Sequence, residues 1–280
     1  MRDFRDSVAV VTGAASGIGR ALAHRLADQG ARIAISDVDE DGLEQTRAAV
    51  AQRGAEVQAW RLDVADRQAV YDHAEAVAER FGRVNLVINN AGVTIAGTVK
   101  DTSIEDFEWL MGINFWGVVY GTKAFLPHLE RAQWGHVVNI SSVFGIIAVP
   151  RQSSYNASKF AVRGFTEALR QELDAERSSV SCTCVHPGGI KTNIARAAKT
   201  VGADPWGGSR SPDKAASDFE KMARTTPADA ARIILDAAAR NKKRVLVGPD
   251  AHAIDLIQRS MPTSYQKLVA KAVKPRGKRR

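Results

Sequence analysis

The stretch that most constrains the fold of this 280-residue chain lies near its start. Ser7-Val8-Ala9-Val10-Val11-Thr12 is a short apolar, β-branched run that reads as a buried strand. It ends in Thr12-Gly13-Ala14-Ala15-Ser16-Gly17-Ile18-Gly19, and a helical run, Arg20 to Ala27, follows. Glycines after a strand allow a tight turn and let backbone amides approach a diphosphate, while the start of the next helix adds its positive end. The spacing is G-x-x-x-G-x-G, distinct from the common G-x-G-x-x-G dinucleotide fingerprint.

The same rhythm recurs downstream. Ala31 to Asp37 reads as a second strand, with Asp37 18 positions after Gly19. A carboxylate there can accept hydrogen bonds from both adenosine ribose hydroxyls and would repel a 2′-phosphate, which favours NAD over NADP. Neither Ser16 nor Val38, the residues beside Gly17 and Asp37, is a compensating cation. Val57 to Val64 forms a third strand with Asp63 at its tip, and Val84 to Gly92 a fourth that runs into an Asn-Asn-Ala-Gly turn. Strands alternating with helices imply βαβ units, an α/β class and a parallel sheet that binds ligands at the carboxyl ends of its strands.

A second kind of signal lies in Ser153 to Ala161, where Tyr155 and Lys159 are four apart in a helical run. Such residues share one face, so the ammonium can sit beneath the phenol. A phenol titrates near pH 10, and a fixed cation nearby lowers that value toward the range useful for proton transfer. Tyrosine and lysine at this spacing are also common on exposed helices, so the pair gains meaning only from its setting.

Charge distribution narrows the choice of partners. The net charge is +8, yet Lys267 to Arg280 contains seven basic residues and no acid; the remaining chain has 32 basic against 31 acidic residues. The basicity is therefore an appendage, suited to a solvated tail or to weak membrane-surface contact, and no nucleic-acid motif accompanies it. Cys182 and Cys184 alternate within one strand-like run and read as buried strand residues rather than metal ligands. No apolar run reaches the roughly 20 residues of a membrane span, and no signal peptide is visible at the charged start, so a cytoplasmic protein is expected.

Thr12-Gly13, Gly17-Ile18-Gly19, Asp63, Asn89-Asn90-Ala91-Gly92, Asn114, Ser142, Tyr155, Lys159 and Pro187-Gly188 stand in one order that resembles the short-chain dehydrogenase/reductase family. The resemblance covers about residues 7–195 and a last strand at Arg244 to Gly248. It implies a Rossmann-like, doubly wound, seven-stranded parallel sheet in three α/β/α layers, assembled as a dimer or tetramer. On this reading residues 1–262 form one domain, with a substrate loop at about 190–225, and 263–280 a basic extension.

The resemblance also implies roles. Tyr155 is the general acid/base and Lys159 binds the nicotinamide ribose. Ser142, 13 positions before Tyr155, steadies the substrate oxygen; its rival Ser141 would face the other way in an extended segment. Asn114 shapes its helix and holds a water next to the lysine. Gly13, Ser16, Gly17, Ile18, Gly19 and Asp37 meet the cofactor, Asp63 and Val64 the adenine, and Asn90, Ala91 and Gly92 line the cofactor-side turn. Pro187, Gly188, Ile190 and Thr192 meet the nicotinamide end, while His186 and His136 are structural. Phe144, Ile146, Ile147, Val149, Pro150 and Trp206 offer apolar lining, which suits a secondary alcohol or ketone of steroid, terpenoid or lipid type. The Gly-, Ser- and Pro-rich segment 200–212 is the expected lid, and Met261 to Tyr265 the expected break between two short helices.

Overall fold

A computed structural model describes residues 2–205 and 211–273. Its elements run β1 (Val8–Thr12), α1 (Gly17–Asp28), β2 (Arg32–Asp37), α2 (Glu40–Ala51), β3 (Val57–Arg61), α3 (Arg67–Phe81) and β4 (Leu86–Asn89). Next come β5 (Ile95–Ala96), α4 (Ile104–Met111), α5 (Gly117–Glu130), β6 (Gly135–Ile140), α6 (Ser153–Ala175), β7 (Val180–Pro187) and β8 (Lys199–Thr200). The chain continues through α7 (Pro212–Met222), α8 (Pro227–Ala239), β9 (Arg244–Val247), α9 (Pro249–Ser260) and α10 (Tyr265–Val273).

Seven strands form one sheet in the order β3-β2-β1-β4-β6-β7-β9, and every pairing is parallel. Strand alternation divides the core into two layers. Ala9 and Val11 join Leu22, Leu26, Leu43 and Ile234 on one face, while Val8 and Val10 join the cluster of Val77, Phe125, Leu129 and Leu173 on the other. Such a sheet has both faces covered, so its strands read as nearly continuous apolar runs. Each fully buried Leu or Ile contributes about 1.5–3 kcal/mol relative to exposure.

The chain passes from β1 outward to β2 and β3, then returns to place β4 on the other side of β1. This reversal opens a crevice above the carboxyl ends of β1 and β4, the position where such sheets accept ligands. A second, two-stranded sheet of β5 and β8, absent from the sequence reading, ties residues 199–200 to 95–96 beside that crevice. The third strand ends at Arg61, earlier than its apolar pattern suggested, which leaves Asp63 and Val64 in the turn beyond it. Helices α9 and α10 are separated at Met261 to Ser264, as the Met-Pro-Thr-Ser sequence implied.

Candidate active site

Beneath the crevice the glycine turn is shaped by steric necessity. Gly13 has φ +66°, and a Cβ there would lie 2.7 Å from the Ala91 Cα, so backbone meets backbone where any side chain would intrude. The Asn-Asn-Ala-Gly turn is fastened to it: the Asn90 and Ala91 amides donate to Thr12 Oγ1 at 3.0 and 3.1 Å, and Asn90 Nδ2 donates to the Thr12 carbonyl at 2.9 Å. Ser16 precedes α1 in an extended conformation without a capping side-chain bond, and Ile18 is half-buried in the first turn.

Asp37 spends its carboxylate locally as well. One oxygen accepts from the Ala15 amide at 2.9 Å and the other from Asp39 at 3.1 Å, so the acid at the β2 tip also braces the glycine turn. Asp63 accepts from the Ala65 amide at 2.9 Å, and Val64 packs where a Cβ on Gly117 would stand. These residues edge the β1–β3 side of the crevice.

On the other side, Tyr155 and Lys159 occupy the first turns of α6 and both are buried. The Ser142 hydroxyl stands beside the Tyr155 phenol, near enough to favour its charged form, and its Oγ accepts from the Phe144 amide at 3.1 Å. Ser141 points the other way and donates to the Lys159 carbonyl at 2.8 Å. The alternation expected of an extended segment therefore separates the two serines. Phe144 packs edge-on against Tyr155, with ring centroids 6.0 Å apart. Asn114 sits in a π-helical turn, Gly112–Trp116, between α4 and α5, where its side chain bonds both the amide and the carbonyl of Val93 at 2.8 and 2.9 Å. Single π-turns within helices are frequent at functional sites. A Cβ on Gly92 would fall 3.3 Å from Asn114 Oδ1 and 3.5 Å from Lys159 Nζ, so the cofactor-side turn closes onto the lysine.

A family model described as short chain dehydrogenase matches residues 7–201. The chain belongs to the short-chain dehydrogenase/reductase family. SadH of Mycobacterium tuberculosis, named as an oxidoreductase, is 50% identical over 275 residues, 98% of this chain and 97% of the relative. Among solved structures, a short-chain dehydrogenase/reductase from Burkholderia phymatum in complex with NAD superposes with a TM-score of 0.83 at 30% identity, covering 100% of this chain and 99% of that one. Levodione reductase superposes with a TM-score of 0.78 at 32% identity, over 89% of this chain and 99% of the other. The protein is thus an oxidoreductase of this family.

Within this dehydrogenase/reductase the electrostatics depart from the sequence expectation. A lysine directly beneath the phenol was to lower the Tyr155 pKa. Instead Lys159 Nζ donates to the Ile140 carbonyl at 3.0 Å and lies 5.6 Å from the phenol ring centroid. Burial pushes the phenol up to about 12, opposed by the Ser142 hydroxyl, and the same burial pulls Lys159 down to about 8. Desolvation disfavours the charged form of each and is the largest cause of both shifts.

The Pro-Gly segment closes the site from β7. Pro187 is the last residue of that strand and Gly188 donates to the Val247 carbonyl at 2.9 Å. The Gly189 amide donates to Asp250 Oδ2 at 2.6 Å. Ile190 is buried and bridges to Thr225, and Thr192 reaches within 3.1 Å of where a Gly17 Cβ would stand, so this segment meets the glycine turn. His186 is fully buried, bonds the Ser142 carbonyl at 2.9 Å through Nδ1, and is pulled down to about 4 by burial. It stands behind the serine rather than in the crevice. His136 lies at the opposite end of the sheet, bonded to Arg2 and Thr183.

Trp206, named as a substrate contact, lies outside the described residues. The sequence reading passed over Thr12 as a fastening residue, Asp250 beneath the Pro-Gly-Gly turn, and Tyr265, whose hydroxyl accepts from the Ala148 amide at 3.1 Å. Only the N-terminal position of Asp250, one residue after a proline that opens a helix, hinted at any of these.

Proposed function

We propose that the protein is an NAD-dependent oxidoreductase that interconverts a secondary alcohol and a ketone. The observation that carries this reading is the convergence of Ser142, Tyr155 and Lys159 in one buried group beside Gly92. The crevice fits a dinucleotide because its floor is a cradle that side chains would fill: Gly13 and Gly17 both have positive φ, and backbone crowds the place of a Cβ at Gly13. In that fit the amides around Ser16, Gly17, Ile18 and Gly19 face the diphosphate and Asp37 the adenosine ribose, which an acid favours without a 2′-phosphate. Asp63 and Val64 hold the adenine, and Asn90, Ala91 and Gly92 line the turn above Gly13. Lys159 holds the second ribose, with Pro187, Gly188, Ile190 and Thr192 at the nicotinamide end.

When bound, the dinucleotide supplies the hydride acceptor or donor. The chain's own residues manage the proton. Tyr155 gives its phenolic proton to a ketone oxygen during reduction and is left as the phenolate, and in oxidation that phenolate removes the alcohol proton, while Ser142 donates a hydrogen bond to the same oxygen. A phenol held neutral by burial suits the first task, and the second requires that its proton leave before the alcohol is bound. Asn114 positions this group through Val93 and its π-turn. Phe144, half-buried against Tyr155 on the loop after Ser142, supports an apolar substrate such as a steroid, terpenoid or lipid-derived alcohol, whereas Ile146 and Ile147, expected beside it, are packed beneath Tyr265. A homo-oligomer, dimer or tetramer, agrees with the exposed Trp109, Trp116 and Phe160 on α4 to α6, and the site of action proposed is the cytoplasm.

A panel of hydroxysteroids and of aliphatic and aromatic alcohols, assayed with NAD and with NADP by absorbance of the reduced cofactor, tests the reading. Turnover of at least one apolar secondary alcohol with NAD is expected. Tighter binding of NADP than of NAD would overturn the role given to Asp37, and an inert panel with both would leave a dinucleotide-binding regulator as the better account.

A further inference from the structure

Helices α9 and α10 have two faces of opposite character. Inward, Ile254 of α9 and Tyr265 and Val269 of α10 join Ile146 and Ile147 in a single cluster, and Tyr265 is bonded to the Ala148 amide. Because both helices share this cluster, their outward faces both turn away from the loop that follows Ser142. Ala251 and Asp255 mark the buried stripe of α9. At 3.6 residues per turn, Leu256 and Ile257 fall on its opposite side. There Leu256 is 65% and Ile257 41% exposed, followed by Met261 and, on α10, by Leu268 at 52%. The outward stripe of a helix packed on a globular core is ordinarily polar. An apolar stripe bordered by cations is instead the pattern of a helix lying in a membrane interface.

The surrounding charge is one-sided. Residues 249–280 contain eight Lys and Arg but only two acids, Asp250 and Asp255. Both acids are engaged: Asp250 accepts from Gly189, and Asp255 bridges Arg244 and Arg259. Lys267 and Lys271 are exposed on α10, and the sequence continues, beyond the described residues, through Lys274, Arg276, Lys278, Arg279 and Arg280.

We propose that the outward face of α9 and α10 docks on an anionic phospholipid surface, with Leu256, Ile257 and Leu268 entering the interface and Lys267 and Lys271 facing the headgroups. A second copy is the poorer occupant. A two-fold contact would set this patch against itself, cation against cation, with no available acid to compensate. An anionic leaflet supplies that compensation and solvates the apolar stripe.

Sedimentation of the full chain with phosphatidylcholine vesicles, with and without phosphatidylglycerol, tests the proposal. Association at least tenfold tighter with the anionic vesicles and weakened by salt is expected. Leu256→Gln with Ile257→Gln should abolish it, as should Lys267→Glu with Lys271→Glu, while melting temperatures stay near wild type because these side chains are exposed. Tyr155→Phe should bind vesicles unchanged, so vesicle binding and catalytic function fail or succeed separately. The proposal is overturned by absent or charge-independent binding, by binding that survives Leu256→Gln with Ile257→Gln, or by self-association lost in that same variant.

Discussion

The two walls of the crevice are built on different principles. The wall at β1 and β4 is backbone: Gly13 and Gly17 with positive φ, and side chains such as Thr12, Asp37 and Asn90 serving to fasten main chain to main chain. The wall at β6 and α6 is side chains: a buried phenol, a buried ammonium and a serine hydroxyl. A wall of backbone has no room for added volume, whereas a wall of side chains is sensitive to the loss of single atoms. Substitutions on the two sides should therefore fail in opposite ways, one through binding and stability, the other through chemistry with the fold retained.

The sharpest test of that contrast is Tyr155→Phe. Removing one oxygen should lower turnover by about 10²–10⁴-fold, the usual worth of a general acid/base, with NAD affinity by titration calorimetry near wild type. Retention of more than a tenth of the rate would break the comparison on its chemical side. A next-largest effect is expected from the cost of burying Lys159. Its pKa in the folded protein lies near 8, below the ordinary 10.5, so between those values the unfolded chain holds the proton that the folded one has released. Stability of the cofactor-free wild type relative to Lys159→Met should accordingly rise from pH 8 to 10.5, at up to about 1.4 kcal/mol per pH unit. Denaturant titrations at several pH values measure it, and a flat difference would contradict a desolvated lysine.

On the backbone wall, Gly13→Ala forces a Cβ to 2.7 Å from the Ala91 Cα at φ +66°. It should weaken NAD binding tenfold or more and cost about 1–3 kcal/mol of stability, yet leave turnover at saturating NAD within a few-fold. Loss of turnover with unchanged affinity would invert the comparison. The smallest expected effect concerns His186, whose ring holds the Ser142 carbonyl. His186→Leu should lower kcat several-fold with little change in KM, and His186→Asn, which keeps a donor at similar reach, should recover much of it; equal rates in steady-state assays for the two variants would remove the donor from the account.

Much of the frame was legible because it depends on neighbours in sequence. The strand–turn–helix at Ser7 to Ala27, the acids at the tips of β2 and β3, and the i, i+4 pair on α6 all follow from local periodicity and from the stereochemistry of glycine. Alternation likewise separated Ser142 from Ser141, since successive residues of an extended segment face opposite sides. The third strand ended earlier than its pattern because its partner β2 ends at Asp37: the Leu62 amide makes the last bond across, to the Asp37 carbonyl at 2.9 Å, and Asp63 and Val64 have no strand residue to pair with. The sheet of β5 and β8 had no local signal at all, for two-residue strands more than a hundred positions apart carry no periodicity of their own.

The sequence by itself determined which elements of the main sheet form, their parallel arrangement around β1, and which residue types gather at the carboxyl ends. Only the tertiary structure decided their electrostatic state: that Lys159 donates a hydrogen bond to the Ile140 carbonyl, that the Tyr155 phenol is held neutral, and that His186, Asp250 and Tyr265 brace the loops around them. The physical reason is that a helix or a turn answers to residues a few positions away, whereas desolvation is set by everything packed around a group, and most of that arrives from distant parts of the chain.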